Sequence, residues 1–299
     1  MSITRIGALV VTLAGALSAC ASTPPHSRAP LGPNTDPNAA SFVTSDITRF
    51  WAAVDSASPD RLAEFLQRDY LDRGSLGVRD FIPNRIRSAT ELADMVHAHR
   101  AHYDSTRASS LAMLKAEPEI RAAFRRFKQM YAGAVFPDVY FVVGRMNSGG
   151  TSTPHGLIVG AEMYTSAAEI PGIVAHELIH FQQHHAAATL LAGCFNEGAA
   201  DFLGAMASGK PLDGPKERYG LAHEHELWQE FRQHLADNSL GSWMYAGPQG
   251  DRPADLGYFI GHRIAEAYYN RAADKPQAIR DIIAARQVKE LLAQSGYDP

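Results

Sequence analysis

Apolar and polar positions divide the chain into stretches of different character. An apolar run from Ile6 to Leu17 follows Arg5. From Ala21 to about Ala40 the residues turn to Pro, Ser, Thr, Asn and Gly without an apolar period, too little to offset the entropy of ordering them. Phe42 to Ala57, Pro59 to Tyr70, Thr90 to Arg107 and Glu117 to Tyr131 read as amphipathic helices, with Asp60 and Thr90 near their starts. Val139 to Gly144 and Leu157 to Ala161 are β-branched and apolar and read as strands, and the Gly, Ser and Thr residues between them read as a loop. Ile170, Ile173, Val174, Leu178 and Phe181 then recur at a helical period, with Pro171 suited to the first turn. A second helix through Phe195 to Phe202 runs on to a stop signal at Gly209 and Pro211. The pattern predicts an α+β fold, mostly helical, with a small mixed sheet next to the helix that carries Leu178.

That helix also carries His176-Glu177-Leu178-Ile179-His180. Positions four apart share a face, so His176 and His180 can both aim nitrogens at one ion, the arrangement of a catalytic zinc site. Glu177 then lies beside the metal, where its carboxylate can take a proton from water that the metal acidifies to a pKa of about 7. The pattern points to attack of activated water on a polarised carbonyl. The bland alternative is a buried helix that happens to carry two histidines.

A zinc that does chemistry needs three protein ligands and one open position, and Glu197, 17 residues after His180 on the second helix, is the third candidate. Asp201 follows one turn later on the same face, placed to accept a hydrogen bond from the outer nitrogen of a ligand histidine. Cys194 stands near this pair but sits among Leu190, Leu191 and Phe195, which favours a small buried apolar role over ligation.

HELIH followed by NEGAAD resembles the gluzincin metallopeptidases, in which two histidines, a downstream glutamate and an aspartate one turn later form the site. The segments VYFVVGRMNSGGTSTPHGLIVGAEMY, HELIHFQQ and GYFIGHRIAEAYYNRAADKPQAIRDII narrow the resemblance to the predicted zinc-dependent proteases related to gliding-motility lipoproteins, over roughly residues 40 to 297. The resemblance implies a zincin-like fold, a Zn2+ cofactor and a peptide or protein substrate. In that family the last strand runs along the cleft, so Leu157 to Ala161 is expected to offer main-chain groups to an extended substrate. The family also places an oxyanion donor on a later helix. Here the candidates are Tyr258 and His262, one turn apart, with His223 more distant; Tyr258 is preferred over its alternative as a core residue.

Leu17-Ser18-Ala19-Cys20 resembles the bacterial lipobox, and the preceding run is too short for a membrane span of about 20 residues. The expected organisation is a lipoprotein signal peptide over 1–19, a lipidated Cys20 and flexible tether over 20–40, an N-terminal helical region over 41–135, and a zincin-like catalytic region with C-terminal helices over 136–299. Ser22 in place of aspartate, by resemblance to the usual lipoprotein sorting rule, implies the outer membrane, facing the periplasm, as the site of anchoring in a bacterial cell envelope. Lipidation of Cys20 leaves Cys194, the other of the two cysteines, without a disulfide partner. The N-terminal helices are read as core packing rather than a lid.

The remaining histidines and charges change little. His97, His99 and His102 do not share a helical face, and His184 and His185 extend past the metal motif, so all are read as solvated. His223 to Glu226, with Glu230 and His234, lack a convincing third ligand for a second metal; His155 in the interstrand loop is left open. A net charge of −4 gives no basic footprint for nucleic acid, and Arg121, Arg125, Arg126 and Lys128 are read as a solvent face. Two other readings stay open: a non-catalytic zinc-binding assembly lipoprotein, and a zinc amidase acting on a non-protein amide.

Overall fold

The computed structural model describes residues 33–184 and 187–299; the apolar run, Cys20 and His185 lie outside the described residues. Within Pro33–Pro299, a single unit, a short strand β1 (Phe42–Val43) leads into α1 (Ser45–Ser56). There follow α2 (Leu62–Phe65), α3 (Leu76–Phe81), α4 (Ala89–Ala98), α5 (Arg100–Ala112) and α6 (Glu117–Met130). Strands β2 (Val139–Val142), β3 (Gly150–Thr153) and β4 (Gly156–Gly160) precede α7 (Ile170–Gln182) and α8 (Leu190–Ser208). The remaining helices are α9 (Pro215–Ala222), α10 (Glu224–Phe231), α11 (Leu256–Arg271), α12 (Lys275–Ala284) and α13 (Val288–Ser295). The result is mostly helical, with one small mixed sheet, as the apolar pattern predicts.

The sheet runs in the order β1-β2-β4-β3. β2 pairs parallel with both β1 and β4, while β3 folds back antiparallel on β4. Every residue of β2 and β4 is buried, as expected of strands covered on both faces. The Gly-, Ser- and Thr-rich stretch between the apolar strands contains β3, so it is more than a loop. Leu157–Gly160 lies inside the sheet with both edges already paired, so its main-chain groups are not on offer to a substrate. β3 is the edge strand on the side of α7.

Helix boundaries follow local chemistry. Ser88 Oγ accepts from Glu91 N at 3.1 Å and caps α4, so the helix begins just before Thr90. The expected continuous helix to Arg107 instead breaks at His99, whose φ of −124° and ψ of 34° separate α4 from α5. Thr189 Oγ caps α8 at Ala192 N, and Gly209 ends that helix with a φ of 70°. Arg126 donates to the carbonyls of Ala207 and Ser208, supplying the last turn of α8 with partners.

Arg121 is likewise engaged. It donates to the carbonyls of Pro37, Asn38 and Ala40 and lies 4.8 Å over the Phe42 ring. With the mutual bonds of Asn34 and Phe136 at 2.7 and 2.9 Å, this ties residues 34–40 to the body, so that part of the expected tether is held. Thus two members of the supposed solvent-facing basic cluster do structural tasks. Ile120, Phe124 and Phe127 of α6 are fully buried, and α6 packs against α7 and α8. Two buried tyrosines fix the end of β2, Tyr70 by exchanging bonds with Val143 and Tyr103 by donating to Gly144 O at 2.7 Å. The N-terminal helices therefore brace the strand that feeds the loop into β3.

Candidate metal centre

Helices α7 and α8 lie side by side because small residues let them approach. A Cβ on Gly204 of α8 would come 3.0 Å from His176 N. α11 crosses α8 even more closely: a Cβ on Gly198 would stand 2.0 Å from His262 N, and one on Gly261 would stand 1.8 Å from Cys194 O. No side chain fits at either crossing position. Backbone contact of this kind places His176 and His180 of α7, Glu197 of α8 and Tyr258 of α11 around one point.

His176 Nε2 and His180 Nε2 lie 2.9 Å apart, His180 Nε2 is 3.0 Å from Glu197 Oε2, and His176 Nε2 is 3.4 Å from the same oxygen. These three residues form the cluster able to hold a metal among the described residues. A tetrahedral zinc with bonds of about 2.0–2.1 Å needs ligand atoms about 3.3 Å apart, so two imidazole nitrogens and one carboxylate oxygen fit the ion in number, type and spacing.

Each of the three candidate ligands is held from behind. His176 Nδ1 donates to Asp201 Oδ1 at 2.9 Å, which turns Nε2 toward the cluster as the nitrogen open to an ion once its proton is displaced. His180 Nδ1 donates to Gln183 Oε1 at 2.7 Å, and Gln183 Nε2 donates to Asn196 O at 3.1 Å, which fixes the amide's orientation. The Tyr245 hydroxyl donates to Glu197 Oε1 at 2.9 Å, leaving Oε2 for the ion. Asp201 is completed by Lys216, whose Nζ lies 3.1 Å from Oδ2.

Charge in this buried cluster is strongly redistributed. Burial alone would lower His176, but its bonds to Asp201 and Glu197 outweigh it and raise the imidazole to about 10. His180 moves up for the corresponding reason, through Glu197. Burial opposes ionisation of Glu197 and Asp201, yet their imidazole partners hold both carboxylates well below the usual range. Glu177, 8% exposed, is raised by burial despite the two nearby imidazoles. Gly150 of the edge strand packs directly on its carboxylate.

A cavity of about 600 Å³ opens beside the cluster. His176, Glu177 and Tyr258 line one part of it, and Ile173, Ala205 and Leu212 give it apolar wall elsewhere. Glu197 and Tyr245 line a second cavity of about 400 Å³. The Tyr258 ring stacks on that of His176 at 6.3 Å and 15°. His262, the other candidate on α11, faces Phe202 at 5.5 Å, and His223 pairs with Glu226 at 2.9 Å; neither lines the larger cavity.

The other tempting residues fall elsewhere. His155 pairs with Asp80 at 2.8 Å at the hairpin tip, and His234 with Asp237 at 2.8 Å. His97 and His102 are not simply solvated: their Nε2 atoms reach Pro59 O at 3.1 Å and Glu162 O at 2.8 Å. Cys194 is buried and free. Sequence reasoning missed Gln183, Lys216, Tyr245 and Gly150. Only Gln183 carries a local signal, since it follows His180 by three residues.

The family model described as predicted Zn-dependent protease (DUF2268) matches residues 139–288, half of the chain and all of the residues just described around the cluster. No curated protein and no solved structure matches. With zinc supported by both that description and the His-His-Glu set, this chain belongs to the family of predicted Zn-dependent proteases.

Proposed function

We propose that this chain is a zinc metallopeptidase, with His176, His180 and Glu197 as the ligands and Glu177 as general base. The observation that carries the reading is the placement of Glu177. It lines the cavity next to His176, outside the ligand triangle, and a purely structural zinc site has no use for a buried carboxylate there. Zinc, when bound, supplies Lewis-acid polarisation of the scissile carbonyl and acidifies the attacking water.

Glu177 takes the proton of the attacking water and passes it to the leaving amine. Burial raises its proton affinity, the direction that suits this transfer. Asp201 and Gln183 orient the two ligand imidazoles. Burial, Glu197 and Tyr245 push the Tyr258 phenol up, so it stays protonated and is assigned as donor to the developing oxyanion. The edge strand Gly150–Thr153 is assigned as the main-chain partner of an extended substrate, replacing Leu157–Ala161.

The lipobox-like Leu17-Ser18-Ala19-Cys20 supports a place for the enzyme in a bacterial cell envelope, anchored through lipid on Cys20 to the outer membrane and facing the periplasm. No described helix is long and apolar enough to cross a membrane. Cys20→Ser is expected to release the protein from the membrane fraction, and its retention there argues against the anchor.

The test of the activity is cleavage of a diverse peptide library by the zinc-loaded chain, with and without a chelator. Chelator-sensitive cleavage that falls about 10²- to 10⁴-fold in Glu177→Gln, with zinc retained, supports the reading. Equal turnover by that variant contradicts the assigned base. Cleavage confined to non-protein amides favours an amidase, and zinc binding with no hydrolysis favours an assembly role.

A further inference from the structure

Lys216 lies in the first turn of α9, on an element that supplies no ligand, yet it touches two residues that surround His176. Its Nζ is 3.1 Å from Asp201 Oδ2 and 3.3 Å from Glu217 Oε1, and it stands 4.4 Å over the centroid of the Tyr258 ring. Asp201 holds His176 through its other oxygen, and Tyr258 stacks on the His176 ring. The contacts therefore close a circuit: Lys216 to Asp201, Asp201 to His176, His176 to Tyr258, and Tyr258 back to Lys216.

We propose that Lys216 is a positioning residue, fixing at once the aspartate that orients a zinc ligand and the tyrosine ring that stacks, offset, beside that ligand. This rests on the reading of His176 as ligand and Tyr258 as oxyanion donor. An ammonium has three N–H directions, and here two carboxylates and one aromatic face occupy them. Lys216 lines the large cavity together with all three of its partners, Asp201, Glu217 and Tyr258. Lys210 lines the same cavity and pairs with Glu119 at 3.0 Å, away from this circuit.

The buried setting gives the contact its consequence. The side chains of Asp201 and Lys216 are 12% and 23% exposed, so water is a poor substitute for either partner. Loss of Lys216 leaves one oxygen of Asp201 without its charged partner and removes the cation from the Tyr258 ring. Partners one step behind a metal ligand are worth about 10- to 100-fold in metal affinity or activity.

The test compares Lys216→Met, Lys216→Arg and Lys210→Met in the full chain. Zinc affinity is read by competition with a chelator, the ligand field by visible absorption of the cobalt-loaded protein, and turnover on a peptide that the wild type cleaves. Expected for Lys216→Met are about tenfold weaker zinc binding, a changed cobalt spectrum, and a lower kcat with KM nearly kept. Lys216→Arg recovers most of each loss, and Lys210→Met keeps wild-type zinc affinity and cobalt spectrum. Should Lys216→Met fail to fold, Lys216→Gln carries the test, because it keeps a donor for Asp201 but no cation over Tyr258; its kcat is then expected to fall more than its zinc affinity. Wild-type zinc affinity, cobalt spectrum and kcat in the folded charge-free variant overturn the proposal. A wild-type chain that binds zinc but cleaves nothing overturns the peptidase reading, while the zinc and cobalt arms still decide Lys216.

Discussion

Gly150 faces Glu177 at such close range that a Cβ on the glycine would stand 2.3 Å from the glutamate's Oε1. The edge strand and the proposed base are thus fitted to each other, and glycine leaves the carboxylate its place. Gly150→Ala is expected to displace Glu177 while leaving the metal ligands alone. A misplacement of about 1 Å costs about 10²-fold in rate, so kcat should fall by about that factor with zinc content unchanged. Steady-state kinetics with metal analysis checks this, and wild-type kcat in the variant counts against a base at Glu177.

The two tyrosines near Glu197 have separable tasks. Tyr245 is 67% exposed and donates to Glu197, whereas Tyr258 lines the larger cavity with its ring on His176. Tyr245→Phe should weaken zinc binding by about tenfold and leave the kcat of the fully loaded protein nearly intact. Tyr258→Phe should keep zinc and lower kcat by about 10-fold or more. Zinc titrations and kinetics on the same preparations distinguish the two, and reversed effects would exchange the roles.

Metal and protons compete for the same nitrogens. In the metal-free chain His176 holds its proton up to about pH 10, because the bonds to Asp201 and Glu197 overcome the effect of burial. Zinc must displace that proton, so binding near neutral pH should release protons and tighten as pH rises toward 10. Metal-free stability has the opposite slope. A raised imidazole stabilises fully below its unfolded value of about 6.5 and loses that contribution as pH rises toward about 10. Asp201 and Glu197, held low, stabilise above their unfolded values of about 4 and lose that contribution in acid. The metal-free melting temperature should therefore be highest between about pH 4.5 and 6.5, and a continuous rise from pH 6 to 10 would be inconsistent with this charge pattern.

The histidine pair was legible in the sequence because a spacing of four on one helix is a local fact. Glu197 and Asp201 were legible for the same reason, as a one-turn pair on the next helix. Gln183 obeys a similar rule, three residues after His180. Lys216 and Tyr245 had no such signal: they reach the cluster only after α9 and the segment before α11 pack, and nothing periodic links them to α7. β3 was missed because Gly-Thr-Ser-Thr is mostly half-buried and lacks the apolar alternation that marks a strand. The break at His99 was hidden because helical periodicity continues on both of its sides.

Close helix approach carries its own stability test. Gly198→Ala puts a methyl group within 2.0 Å of the His262 backbone nitrogen, where no flexible side chain can yield. Overpacking against backbone should cost about 3 kcal/mol and separate α8 from α11. Urea unfolding of the metal-free variant measures the loss. A stability within about 0.5 kcal/mol of wild type would show that the crossing relaxes freely.

One bound zinc ion underlies every role assigned above, and elemental analysis of the purified full chain tests it most directly. Expected is one zinc per chain, lost in His176→Ala and His180→Ala and strongly reduced in Glu197→Ala, with Glu177→Gln keeping it. A chain that takes up no zinc when offered it, or that keeps its zinc after loss of either histidine, would contradict the site.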